Sequence, residues 1–431
     1  MTAHHQPDRQ DPPDAQADLS DVLAAELDDL LRADDEALVA RFPGDTAARQ
    51  PVHTVYVPAD RYGADLVARW GEQAGRALDE NEGLLAELVG DRAEEVLPLV
   101  RAKLAREPVE DLRIDLEDGY GRRPDEEEDT DVDAAAAALA ATRQDGTAPP
   151  FAGIRVRSFE GPTRTRGVRT LTRFVQGLVA AGGSLDGVVV TLPKVTSVAQ
   201  VEAMVLACDR LEAALGLPHR ALRFEIQVET PQSVLGPDGT APVARMIHAG
   251  AGRVSGLHYG TYDYSAFCGI PASSQSLDHP VADHAKLVMQ AAAAGTGVRL
   301  SDGSTNVLPV GTPEQVRDGW ALHLRLVRRA LERGYYQGWD LHPSQLPSRF
   351  AATYAFYREH LPAAARRLRD YLDTASAPGT VLDEPATART LADLLVRGLD
   401  CGALLPAEVE AAAGITAADL QALARPRRGG P

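Results

Sequence analysis

The stretch FEIQVETPQSV (224–234) alternates Glu225, Gln227 and Glu229 with Ile226 and Val228, so three polar side chains share one face of an otherwise apolar strand. A carboxylate in such a place is costly unless a cation or a hydrogen-bond donor meets it. Other ionisable residues stand at the ends of other β-branched runs. They are Asp115, Glu117 and Asp118 in IDLEDG, Arg155 and Arg157 in GIRVRS, Lys194 in TLPKV, Asp263 in YGTYDYS, Asp302 in RLSD, and Asp340 and His342 in WDLHPSQ. Glu229 and Asp263, on successive strands, make an oxygen-donor pair suited to Mg²⁺, which takes its remaining ligands from water and substrate. Ion pairing within the same rim is the bland alternative, and it is preferred for the deeper Glu225.

Arg155 and Arg157 each offer a planar, permanently charged fork that matches a carboxylate or an enolate oxygen. One of the two does this work while the other holds the acids of the second strand, and sequence alone does not separate them. Lys194 is read first as a charge partner for carboxylates, with a Schiff-base role as the rival chemistry. Asp115 and Glu117 fall on one strand face and Asp118 on the other. They suit a supporting network, a general base or a structural cluster. His342, beside Pro343, is either structural or substrate-binding. The loop LSDGSTN (300–306) is placed over the same mouth.

The elements that must position these residues follow a clear alternation. Eight strand-like runs, 52–58, 112–118, 152–158, 187–194, 223–230, 254–263, 297–302 and 338–343, are separated by Ala- and Leu-rich helical stretches. Such alternation predicts a parallel sheet with right-handed crossovers, and eight units predict a (β/α)8 TIM barrel whose chemistry sits at the C-terminal ends of the strands. No GxGxxG follows the first strand, which speaks against a Rossmann sheet. Residues 1–18 read as disordered, 19–50 as a helical N-terminal extension, 51–350 as the barrel and 351–431 as a C-terminal helical extension. That extension includes the linker SAPGTVLDEPATA.

The chain has 431 residues and a net charge of −18, which argues against nucleic acid or an anionic membrane as partner. The acidic run PDEEEDTDVD (124–133) reads as a solvated loop entering a helix. Three cysteines without a CxxC pair fit a reducing compartment and give no sign of a zinc site or disulfide framework. The N-terminal residues have no apolar signal region, and no apolar run reaches the length of a membrane span. The expected location is cytoplasmic.

Taken in order, YVPADR, IDLEDG, GIRVRS, TLPKV, QVETPQSV, YGTYDYS and DLHPSQ make residues 52–346 resemble the HpcH/HpaI aldolase and citrate lyase β-subunit superfamily. The resemblance implies a TIM barrel of the pyruvate/phosphoenolpyruvate type that makes or breaks a carbon–carbon bond next to a carbonyl with Mg²⁺, Mn²⁺ being the other candidate ion. It also implies roles. Glu229 and Asp263 would hold the metal. Arg155 would stabilise the enolate oxygen, Gln227 would bind substrate or a water on the metal, and Asp115, Glu117 and Asp118 would form the acidic network. The GPDGTAP segment, Arg157 and the two extensions depart from the family pattern and indicate a divergent subgroup.

The leading expectation is a lyase or aldolase acting on a small hydroxy or oxo acid, assembled as a homo-oligomer. The alternatives are a citrate-lyase-like lyase, synthase or thioesterase for a CoA thioester, with the arginines of RVRSFEGPTRTRGVR (155–169) as its groove, and a non-catalytic oxo-acid or metal-binding regulator.

Overall fold

The structure is a computed structural model that describes residues 19–46, 48–373 and 385–425. The expected disorder of 1–18 and most of the linker SAPGTVLDEPATA lie outside the described residues. The chain divides into two compact units, Met1–Pro43 and Gly44–Pro431. Among its described residues the first contains one helix, Leu19–Arg41, none of whose residues is buried.

The second unit is built on eight parallel strands: β1 (His53–Pro58), β2 (Asp111–Asp115), β3 (Phe151–Arg155), β4 (Val188–Leu192), β5 (Arg223–Val228), β6 (Val254–Tyr259), β7 (Arg299–Ser301) and β8 (Gly338–Asp340). Their order is β7-β6-β5-β4-β3-β2-β1-β8. A parallel bridge between Ser301 and Gln337 brings the two ends together, and the Asp302 N–H donates to the Gln337 carbonyl at 2.8 Å. The result is a (β/α)8 barrel.

Period-two alternation assigns the two faces of the wall. Ile114, Ile154, Val190, Ile226 and Leu257 point outward and pack under the helices Asp125–Gln144, Arg164–Ala180, Val198–Leu215 and Pro242–Ala249 in one apolar core. A second core joins the helices Leu66–Glu80, Glu82–Val89 and Ala93–Arg106 to the C-terminal helices through Val100, Leu104, Phe350, Tyr357, Leu368 and Leu395. The boundary expected at 350/351 therefore falls inside the continuous helix Leu346–Asp373, which follows the last strand and packs on Ala93–Arg106.

The inward face carries charge, and the charges are paired. Arg113 donates to Glu225 Oε1 at 2.9 Å and Oε2 at 2.8 Å and also bonds Asp111. His258 Nε2 lies 2.8 Å from Glu225 Oε2. Glu225 is thus held in an ion pair, and burial of so many ionic groups is tolerable only because each meets a partner. On the outward face, Asp340 is satisfied by the helices that cover β8, with the Arg349 guanidinium, His53 Nδ1 at 2.9 Å and His323 Nε2 at 3.1 Å around it.

The strands stop earlier than their sequence pattern suggests. β6 ends at Tyr259, and Thr261–Phe267 is a short helix, so Asp263 lies in a first helical turn rather than at a strand end. β2 ends at Asp115, and the strand alternation that put Asp118 on the opposite face from Glu117 ends with it. The acidic run 124–133 is mostly helix, and Glu128 and Asp129 are buried in it. Glu128 accepts from Arg157 and Arg166, and Asp129 from Arg166 and Arg169. Arginines of the next segment neutralise these acids, which is why they are not solvated.

Candidate active site

The C-terminal rim gathers one continuous polar chain. Arg155, the last residue of β3, donates from Nε and Nη2 to the two oxygens of Asp115, each at 2.7 Å. Asp115 also accepts the backbone N–H groups of Glu117 at 3.0 Å and Gly119 at 2.9 Å, which fix it from the other side. A side chain on Gly119 would put its Cβ 2.5 Å from Asp115 Oδ2, so the turn needs glycine there. The third arm of Arg155, Nη1, reaches Gln227 Oε1 at 3.4 Å and lies 3.7 Å from Glu117 Oε2. Burial alone lowers the basicity of this guanidinium, but Asp115 more than reverses that and raises it well above the ordinary value.

Gln227 turns its amide to the next acid, donating to Glu229 Oε2 at 2.5 Å. Glu229 Oε1 accepts the backbone N–H of Lys194 at 2.7 Å. That N–H points inward because Lys194 adopts a left-handed backbone with φ of 51°, a conformation that costs a non-glycine residue about 1–2 kcal/mol. Strain of this kind collects at functional sites. Burial pushes the Glu229 carboxyl up to about 8, and the neighbouring Asp263 and Glu117 add to the rise against the pull of Lys194 and Arg155. Gly260 leaves the space Glu229 occupies, since a Cβ there would sit 2.7 Å from Glu229 Oε2.

The Lys194 ammonium closes the chain, with Glu117 Oε1 at 2.7 Å, Asp118 Oδ2 at 2.6 Å and Asp263 Oδ2 at 3.1 Å. Glu117 and Asp118 therefore converge on one cation, although strand alternation would have separated them. Burial raises the Glu117 carboxyl, outweighing Arg155 and Lys194. In Asp118 burial also opposes ionisation, but the Lys194 bond wins and the carboxyl is lowered. Burial likewise disfavours the charged Lys194, yet Glu229, Glu117 and Asp118 overcome it and hold the amine above its usual range. An ammonium held this firmly is the wrong form for a Schiff-base nucleophile.

Four expected or possible site residues are engaged elsewhere. Arg157 lies beyond the end of β3 and donates to Glu128 Oε2 at 3.0 and 2.8 Å and to the Gly121 carbonyl. His342 Nδ1 caps the turn Pro343–Gln345 by accepting the Ser344 N–H at 3.2 Å. Asp302 is held by the Lys286 ammonium at 3.1 Å, and Asp340 by the cluster described above. Sequence reading passed over Tyr56 and Trp339, whose rings stand 4.9 and 5.3 Å from the Arg155 guanidinium carbon. Large aromatics at inward positions of a barrel strand were the available signal. The indole Nε1 of Trp339 is buried without a hydrogen-bond partner among the described residues.

Replacing Arg157 by Gln is expected to cost about 1–3 kcal/mol of stability, because Glu128 loses a charged donor in a buried setting. Turnover by the folded variant should stay within a few-fold of the parent. Denaturant unfolding and steady-state rates check the two halves separately.

Glu229 and Asp263 are both oxygen donors, the kind of ligand that suits Mg²⁺. Another possible ligand group joins Asp209 and Glu212 of the helix Val198–Leu215 to His219 in the turn after it, and Arg253 already bonds Asp209 and Glu212.

A family model described as a domain of unknown function, DUF6986, matches residues 31–428. The chain belongs to that family. No curated protein matches it. Among solved structures, the Haloferax volcanii malate synthase magnesium/glyoxylate complex is similar at 14% identity over 88% of this chain and 98% of that one, with a TM-score of 0.48. The lead(II) complex of the same enzyme gives 12% identity over 88% and 98%, with a TM-score of 0.47. Its native form at 3 mM glyoxylate gives 14% over 89% and 99%, with a TM-score of 0.46. Among the described residues of this chain no helix is long and apolar enough to cross a membrane.

Proposed function

We propose that this chain is a Mg²⁺-dependent carbon–carbon lyase or aldolase acting on a small hydroxy or oxo acid. The observation that carries the reading is Arg155. Asp115 clamps it through two of its arms, two aromatic rings flank it, and its third arm lies toward Gln227 and Glu117, beside the buried Glu229.

Cleavage next to a carbonyl leaves an electron pair that settles on an enolate oxygen. A preorganised guanidinium facing that oxygen stabilises charge as it develops, with no reorganisation at the moment of reaction. Glu229 and Asp263 would hold the ion, and a bound Mg²⁺ supplies Lewis-acid polarisation of the carbonyl. Gln227 orients Glu229 and offers its carbonyl side to Arg155. Glu117, raised by burial and tied to Lys194, is the group to take the hydroxyl proton as the carbon–carbon bond opens. Lys194 balances the acids around it as a permanent cation. The Trp339 ring, whose N–H has no partner among the described residues, would help shape the pocket around Arg155.

For the acyl-CoA reading, four arginines of the suggested groove are engaged by acids, Arg155 by Asp115, Arg157 by Glu128, Arg166 by Glu128 and Asp129, and Arg169 by Asp129, while Arg164 bonds the Phe159 carbonyl.

Calorimetric titration of Mg²⁺ into EDTA-stripped protein tests the proposal, with and without pyruvate, oxaloacetate or glyoxylate. Binding should strengthen with an oxo acid and disappear in Glu229→Ala and in Asp263→Ala. Absence of metal binding by the parent chain under every condition sinks the lyase reading.

A further inference from the structure

At the opposite end of the barrel, where the strands begin, lies a cavity of about 510 Å³. Arg220 lies just before β5, Arg223 opens β5 and Arg299 opens β7, and all three residues line this mouth. None of the three makes an ion pair with a described carboxylate. Arg299 spends one N–H on the Ala48 carbonyl at 2.9 Å and stands 5.7 Å above the Phe151 ring. Deeper in, the floor is the Arg113–Glu225–His258 group with Asp111. His258 is 2% exposed and lines the cavity, and its Nδ1 finds no hydrogen-bond partner among the described residues.

The charge balance of this mouth is unusual for the molecule. The cavity carries four guanidiniums against the three carboxylates of Asp111, Asp186 and Glu225, in a chain whose net charge is −18. Asp111 and Glu225 are already bound to Arg113, and Asp186 is left as the acid of the rim. Arginines that surround a cavity without matching acids have their charge to offer to a ligand. An unpaired, buried ring nitrogen in the same cavity is a second unmet polar group, of a kind native interiors seldom leave.

We propose that the N-terminal mouth of the barrel is a second binding site, for a small multivalent oxyanion bearing phosphoryl or carboxylate groups. The volume falls within the range of small-ligand sites, roughly 300–1,000 Å³. Three guanidiniums on two neighbouring stretches of chain can meet separate oxygens of one ligand, which favours a polyanion over a single carboxylate. Burial lowers the Arg299 guanidinium to about 10, Asp111 opposes the fall and Arg223 of the same cavity adds to it, so an anion placed beside the two arginines would be favoured. The site shares no residue with the C-terminal rim, and its occupancy does not depend on the lyase reading.

The test is calorimetric titration of the full chain with pyrophosphate, inorganic phosphate and citrate at low ionic strength. Arg220→Gln and Arg223→Gln are compared singly and together, and both residues are exposed, so folding should survive. Ser255→Glu, which sets a carboxylate in the same cavity, is a second, independent probe. At least one polyanion should bind with one-to-one stoichiometry. The double variant should lose tenfold or more in affinity, Ser255→Glu should lose at least as much, and Mg²⁺ binding should be unchanged in both. Tighter binding of pyrophosphate assigns a phosphorylated ligand, and tighter binding of citrate a polycarboxylate. The proposal is overturned if no probe binds at millimolar concentration, or if the arginine variants bind as the parent does. It is equally overturned if binding is lost in Arg155→Lys but kept in Arg223→Gln, since the anion would then lie at the other end.

Discussion

Replacing Arg155 by Lys is expected to lower kcat by roughly 10²–10³-fold, the usual cost of removing one aimed donor from a developing oxyanion. The substitution keeps the positive charge and removes the fork. Arg155 engages Asp115 through Nε and Nη2 together and leaves Nη1 for the site, and an ammonium cannot divide itself that way. A Lys that stays on Asp115 loses its reach toward Gln227, and one that reaches Gln227 abandons Asp115. Either arrangement misplaces the charge, so the loss should fall on kcat, with KM for the acid changing less than tenfold. Lys is also the safer probe of folding, since Arg155→Ala would strand the buried Asp115 and cost about 3–5 kcal/mol. The assay is turnover of whichever acid tightens Mg²⁺ binding, and the affinity of that acid in calorimetry gives a readout apart from rate. Asp115→Asn should show a smaller fall in kcat, because it leaves the guanidinium present but less firmly aimed. Parent-like kcat in Arg155→Lys would remove Arg155 from the reaction.

The contrast between Arg155 and Arg157 also shows what the sequence could carry. The eight strands and the rim positions of Arg155, Lys194, Gln227 and Glu229 were legible because each follows from local alternation and from the rule that barrel chemistry sits at strand ends. The separation of the two arginines was not. It depends on Glu128, 29 residues earlier in the chain and on a helix, reaching Arg157 across the gap between elements. Asp118 and Asp263 were misplaced for a simpler reason. Alternation was extended past Asp115 and past Tyr259, where the chain had already turned. At the second of these turns Gly260, which makes room for Glu229, is the residue that marks the strand's end. Tyr56 and Trp339 were passed over because an aromatic in a strand reads as core. The ladder β3-β2-β1-β8, which pairs strands far apart in sequence, sets both beside Arg155. Pairings between distant elements are a property of the assembled barrel, and a pattern that looks a few residues ahead does not contain them.

In metal-free protein, Glu229→Gln is expected to change how stability depends on pH, and then to abolish the response to Mg²⁺. Burial, helped by Asp263 and Glu117, raises the Glu229 carboxyl to about 8, whereas in an unfolded chain a glutamate titrates near 4.3. Between those values the folded state holds a proton that the unfolded state has released. Stability from this group is therefore fully present below the unfolded value, falls as pH rises through the window, and levels off above about 8, with a slope of at most about 1.4 kcal/mol per unit. Gln cannot titrate, so the variant lacks this slope. In EDTA, urea unfolding from pH 5 to 8.5 should show the parent losing stability relative to Glu229→Gln as pH increases. Adding Mg²⁺ at pH 8 should restore the parent, because a ligand that binds only the folded state adds its binding free energy to stability. The variant, with a neutral amide in place of the anion, should not respond. A difference between the two proteins that stays flat across this range would mean that Glu229 is already ionised at pH 5 in the folded protein, and the rise attributed to its burial would be refuted.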